Sequence, residues 1–109
     1  MYKPKILVTG GRGFLGSAVC KKLETLAEVI AVGRDEANLR DQSQTVELFT
    51  DIEPDMVVHL AATVGGIGAN KENPGKFIEE NLQMGVNVLT CAKFFSVKKF
   101  VMLGTVCSY

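Results

Sequence analysis

Apolar residues in this chain come in two spacings that alternate along its length. Lys5 to Thr9 is a continuous apolar run rich in aliphatic residues and reads as a buried strand. Phe14 to Leu26 instead sets Leu15, Val19, Leu23 and Leu26 at helical intervals, with Lys21, Lys22 and Glu24 turned to water. Glu28 to Gly33 reads as the second strand, and a helical crossover between two parallel strands is right-handed, so the sheet starts parallel. Asn38 to Asp41 reads as a short third strand or extended segment. Asp41 and Gln44 stand at capping-box spacing before a helix through Val46, Leu48 and Phe49 to about Ile52, stopped by Pro54. Asp55 to Ala62 is again a continuous apolar run, as expected of a central parallel strand. Asn73 and Pro74 supply an N-cap and a first helical residue for a helix to about Phe95. Its expected core face is Phe77, Ile78, Leu82, Val86, Leu89 and Ala92. Asn81 and Asn87 inside it either bond the cofactor side or a neighbouring loop, or lie exposed. Phe100 to Gly104 reads as a further strand.

This alternation predicts an α/β fold, a Rossmann-type doubly wound parallel sheet cut off after the strand ending near Gly104. Residues 1–109 are expected to be the N-terminal portion of an NAD(P)-binding Rossmann domain, with the substrate domain absent. An exposed apolar face and an open strand edge are therefore expected.

The candidate chemistry starts at the first turn. Gly10, Gly13 and Gly16 follow the first strand at G-x-x-G-x-x-G spacing and open the first helix. Gly10 permits the tight turn, Gly13 lets the backbone approach a pyrophosphate, and Gly16 lets helix and strand pack closely. The pyrophosphate then rests on the free N–H groups and positive dipole end of the helix. Gly11, Arg12, Phe14 and Leu15 complete the candidate cradle.

The end of the second strand is where such a site reads the ribose. NAD enzymes usually place Asp or Glu there; this chain has Gly33-Arg34-Asp35. Arg34, with Arg12 in the glycine turn, suits a 2′-phosphate, which favours NADP over NAD. Asp35 bonding the ribose, with Arg34 solvated, is the alternative. Asn38 and Leu39 are expected to border the adenine, and Leu60, Ala61 and Ala62 to line the path to the nicotinamide. The glycine-dense loop holding Gly65, Gly66, Ile67 and Asn70 lies at the same edge of the sheet. His59, the one histidine, has no companions at ligand spacing and reads as a core residue rather than a metal ligand.

Composition removes other classes. The chain has 109 residues, 47% of them hydrophobic, and a formal net charge of +0. No basic stripe suggests nucleic acid, and the apolar runs are far short of a membrane span. Met1 to Pro4 leads straight into the first strand, which leaves no room for a signal peptide. Cys20, Cys91 and Cys107 are odd in number and form no C-x-x-C, as expected of reduced thiols in a cytoplasmic protein.

Taken together, Gly10 to Gly16, His59-Leu60-Ala61-Ala62, Val64 to Ile67, Asn81 and Leu103-Gly104 resemble the extended short-chain dehydrogenase/reductases. Within them the chain resembles most the GDP-L-fucose synthase family, NADPH-dependent epimerase–reductases acting on GDP-4-keto-6-deoxymannose. The resemblance spans essentially the whole chain, and the Ala62-to-Asn70 segment is its most specific part. It implies a nucleotide-sugar substrate and a homodimer in the complete enzyme. It also implies that Thr105 polarises the sugar ketone and that Cys107 acts as an acid/base in epimerisation, against the plainer reading of Cys107 as a small packed residue. The family's G-S-S-C-I-Y-P pattern is altered here at Val106 and Ser108. The family's Tyr-x-x-x-Lys follows neither Tyr2 nor Tyr109, so the chain is expected to be inactive alone. Two alternatives are another NAD(P)-dependent sugar-nucleotide epimerase or dehydratase, and a non-catalytic nucleotide-sensing module. A third is a degenerate fragment.

Overall fold

The computed structural model describes residues 3–33, 35–60 and 74–102, without the side chains of 74–78. Strands β1 (Lys5–Thr9), β2 (Glu28–Val32), β3 (Met56–His59) and β4 (Lys99–Met102) alternate with helices α1 (Phe14–Leu23), α2 (Gln42–Ile52) and α3 (Pro74–Phe94). All pairings are parallel and the spatial order is β2-β1-β3-β4. The order reverses between β1 and β3, which makes the C-terminal ends of those two strands the expected ligand crevice of this Rossmann-type sheet. Thr9 pairs with Val32 on one side and with His59 on the other, so the three strand ends are level.

Helix α1 packs on one face of the sheet and α2 with α3 on the other. Successive side chains of a strand point to opposite faces. Accordingly Ile6, Val8 and Val58 join a small cluster with Ala27 and the partly buried Cys20 and Leu23 of α1. Leu7 and Val57 join the larger cluster with Phe49 of α2 and Met84, Val88 and Cys91 of α3.

Four expectations are corrected. Helix α1 ends at Leu23, not Leu26; its inward stripe is Gly16, Cys20 and Leu23, and Ala27 beyond its end packs in the same cluster. Leu15 is 48% exposed and Leu26 72% exposed. A Cβ on Gly16 would stand 2.0 Å from the Gly10 carbonyl oxygen, so backbone contact sets the helix rotation. Leu15, about 100° round the helix from Gly16, is thereby turned away.

Asn38 to Asp41 is not a strand. The Asn38 side chain accepts the Arg40 N–H at 3.1 Å, and the Asp41 N–H donates to the Asn38 carbonyl at 3.0 Å. The segment bonds locally as a turn instead of joining the sheet.

In α3 the inward stripe is Met84, Val88, Cys91 and Ala92, whereas Leu82, Val86 and Leu89 are exposed. Both stripes are apolar at helical spacing, so the pattern alone does not orient the helix. Gly85 faces Met102, whose Cε lies 3.2 Å from where a Cβ would be, and Asn87 donates to the Leu39 carbonyl at 2.9 Å. Those two contacts agree on the rotation observed. Phe77 and Ile78 lie outside the described side chains.

The capping box of α2 is modified. Asp41 accepts the N–H groups of Ser43 and Gln44, but Gln44 reaches past it to accept the Asn38 N–H at 2.9 Å. The helix closes on Glu53 in the left-handed region, just before Pro54. Among the described residues β4 is an edge strand, with Val101 and Met102 partly open to solvent.

Candidate functional site

The turn after β1 is built by backbone closeness. Gly10 has φ 72°, a left-handed value that glycine adopts freely. The Gly10 and Gly11 N–H groups both donate to the Val32 carbonyl, at 2.9 and 3.3 Å, which ties the turn to the end of β2. A Cβ on Gly11 would meet the Ala31 Cβ at 2.7 Å, so Gly11 is required for packing on β2. Gly13 differs. A Cβ there would meet only the Gly10 oxygen, at an ordinary 3.5 Å, and its φ of −77° suits any residue. Nothing among the described residues demands glycine at position 13.

Gly13 is also the N-cap of α1, and among the described residues no side chain caps this helix; its first turn holds no acidic residue. The first N–H groups of a helix lack partners within it and carry its positive dipole end. Here they begin at Gly13, where a Cβ would meet only the Gly10 oxygen. That is a seat for an anionic oxygen cluster, and a pyrophosphate fits it. Phe14 and Leu15, both exposed, border it.

Beside the turn, the Arg12 guanidinium pairs with one carboxylate oxygen of Glu36, and the other accepts the Gly33 N–H. The Glu36 N–H returns to the Gly33 carbonyl at 3.2 Å, closing a tight loop after β2. Glu36 was not among the expected site residues. The signal that marks it is its position three residues past the strand-end glycine, within one turn of it. Arg34 lies outside the described residues.

At the crevice itself Thr9 and His59 form a buried pair, with Thr9 Oγ1 and His59 Nδ1 2.6 Å apart. The Leu60 N–H donates to the Thr9 hydroxyl at 3.1 Å. The hydroxyl thus accepts from the Leu60 N–H and shares a hydrogen bond with the ring, whose tautomer decides which of the two donates. Burial pushes the His59 pKa down from 6.5 to about 4, so the ring is neutral at pH 7. Its core role stands: it holds the ends of β1 and β3 together. Cys20 sits beneath the glycine turn, where burial and then the nearby Glu24 push its thiol pKa up. Among the described residues no three His, Cys, Asp or Glu side chains gather as a metal site would require.

Other expected site residues fall as follows. Asn38 is exposed, while the Leu39 side chain is buried in the α2–α3 cluster. Leu60 is half-buried at the crevice. Asn87 bonds a neighbouring loop rather than lying free. Ala61, Ala62, Gly65, Gly66, Ile67, Asn70, Thr105 and Cys107 lie outside the described residues. No helix among the described residues is long and apolar enough to cross a membrane.

Known proteins share both sequence and fold. The chain is 37% identical over 106 residues to the GDP-L-colitose synthase of Yersinia pseudotuberculosis, covering 96% of this chain and 34% of that protein. It is 37% identical over 111 residues to the GDP-L-fucose synthase of Escherichia coli (strain K12), covering 100% of this chain and 35% of that one. The crystal structure of a GDP-L-fucose synthetase from Naegleria fowleri bound to NADP superposes with a TM-score of 0.81 at 33% identity, over 100% of this chain and 33% of that one. The chain thus spans about a third of the length of the curated relatives it matches. Residues 6–109 match a single family profile, and the glycine turn, the parallel order and the open helix start all lie within that span. By that match the chain belongs to the NAD dependent epimerase/dehydratase family.

Proposed function

We propose that this chain is the NADP-binding N-terminal part of a sugar-nucleotide epimerase/reductase like GDP-L-fucose synthase. The observation that carries the reading is the uncapped start of α1 over Gly13, a ready anion seat level with the ends of β1 and β3. The NADP-bound relative of the same fold supports the choice of cofactor. Gly10, Gly13 and Gly16 shape the pyrophosphate seat, Arg12 and Arg34 serve the 2′-phosphate, and Asn38 borders the adenine. Leu60, Ala61 and Ala62 line the way to the nicotinamide.

NADPH supplies a hydride to the C4 carbonyl of a GDP-4-keto-6-deoxy sugar in the complete enzyme. Thr105 polarises that carbonyl, and Cys107 moves protons at the carbons flanking it. The loop with Gly65, Gly66, Ile67 and Asn70 faces the sugar. The same reading carries a homodimer and a cytoplasmic location for the complete enzyme. The fucose and colitose relatives share GDP as the nucleotide, which supports a GDP-linked substrate ahead of other sugar nucleotides.

The test is titration of the 109-residue chain with NADPH, followed by its fluorescence. Saturable binding, lost when Gly13 is replaced by Asp, is the expected result. A folded chain with no NADPH binding overturns the reading. No oxidation of NADPH with GDP-4-keto-6-deoxymannose is expected from this chain, because no Tyr-x-x-x-Lys lies within it.

A further inference from the structure

The carboxylate of Glu36 stands where the anion of a cofactor is expected. One of its oxygens pairs with Arg12 in the glycine turn and the other takes the Gly33 N–H at the end of β2. A cation and a backbone donor, converging from two elements, are a small anion site, and the chain fills it with its own side chain. Gly33 fits the same picture. A Cβ there would lie 3.0 Å from the Arg12 Cδ and 3.3 Å from the Glu36 Oε2, so the position is small because the pair packs across it. The acidic group that Gly33 lacks at the strand end is returned by Glu36 from the following turn.

We propose that Glu36 occupies the 2′-phosphate seat from within the chain and thereby sets the balance between NADP and NAD; this rests on the cofactor reading above. A 2′-phosphate is a strong acceptor that carries close to two negative charges. It and the carboxylate compete for Arg12 and for the Gly33 N–H, and like charges do not share that seat. When NADP binds, Glu36 turns out to solvent and the phosphate takes both donors. When NAD binds, the 2′-hydroxyl donates to the Glu36 carboxylate, which stays in place. The Arg12 side chain is 64% exposed, so solvent screens the pair and displacing Glu36 costs little. Glu36 therefore tunes the ratio and does not block NADP.

The experiment is calorimetric titration of the 109-residue chain and of Glu36→Gln with NADP+ and with NAD+. Gln keeps an acceptor for the Gly33 N–H and removes the charge. Glu36→Gln is expected to tighten NADP+ by about threefold to tenfold and to weaken NAD+ by a similar factor. Glu36→Ala serves as the second variant and is expected to shift the ratio in the same direction. Unchanged affinities for both cofactors overturn the proposal, as does weaker NADP+ binding, which would make Glu36 a positioning residue for Arg12. If neither the wild-type chain nor the variants bind NADP+, the cofactor reading itself falls and this inference falls with it.

Discussion

Helices α1 and α2 start in opposite ways. At α2 the Asp41 carboxylate closes the first turn, Gln44 and Thr45 add side-chain bonds, and Asn87 reaches across from α3 to the Leu39 carbonyl. At α1 no side chain among the described residues closes the end: the N-cap is Gly13, without a side-chain bond, and the first turn carries no acid. One helix start is finished by side chains, and the other is not capped by any side chain among the described residues. The same division runs through the sheet. The turn into α1 is pressed tight at Gly11 against the Ala31 side chain and at Gly16 against the Gly10 backbone, above a small apolar cluster. The α2–α3 side is held by a larger side-chain cluster and hydrogen bonds.

The sharpest way to break the contrast is Gly16→Ala. With a Cβ 2.0 Å from the Gly10 oxygen, the turn and helix must separate, at a cost of about 3 kcal/mol in a urea melt. Gly13→Ala, in the same turn, is expected to leave the urea midpoint almost unchanged. Equal losses for the two would erase the distinction between packing glycine and ligand glycine.

Acid probes the other side. His59 is neutral in the fold with its pKa pushed to about 4, while in the unfolded chain it titrates near 6.5. Its contribution is therefore complete above pH 6.5 and is lost as pH falls from there toward 4. The slope is about 1.4 kcal/mol per pH unit and the total roughly 3 kcal/mol. Thermal melts across that window should show it, and His59→Gln should flatten the curve. A wild-type curve already flat would mean that the ring charges inside the fold.

Gly13→Asp finishes α1 in the manner of α2. An aspartate cap changes helix stability by only a few tenths of a kcal/mol relative to glycine. It also sets a negative charge at the pyrophosphate seat, and NADP binding is expected to weaken by about 100-fold, measured by calorimetry. An unchanged affinity would remove the helix start from the binding site.

The smallest effect is expected at α2. Asp41→Ala should cost about 1 kcal/mol of stability in the same urea melt. Its NADP affinity should fall far less than that of Gly13→Asp. A comparable loss of binding would place the α2 cap inside the cofactor site.

The glycine turn was legible because Gly10, Gly13 and Gly16 follow an apolar strand run and open a helical one, a context that ties spacing to chemistry. The α2 cap was legible for a similar local reason, since Asp41 acts on N–H groups two and three residues away. Glu36 was missed because its partners come from two elements, and only the β1–β2 pairing brings Arg12 to Gly33. Helix faces failed where two apolar stripes compete. Leu82, Val86 and Leu89 are as apolar as Met84, Val88 and Cys91, and a contact outside the helix chose between them.

By itself, then, the sequence determined the alternation of strand and helix, the parallel sense of the sheet and the place of the glycine turn between β1 and α1. These depend on spacing within a few residues, where backbone geometry leaves few options. Tertiary structure alone decided how each helix is rotated, that Gly11 and Gly16 serve packing while Gly13 stays open, and that Glu36 closes over Arg12. Those outcomes rest on contacts at distances of a few ångström between elements far apart in the chain. Periodicity carries no record of such contacts.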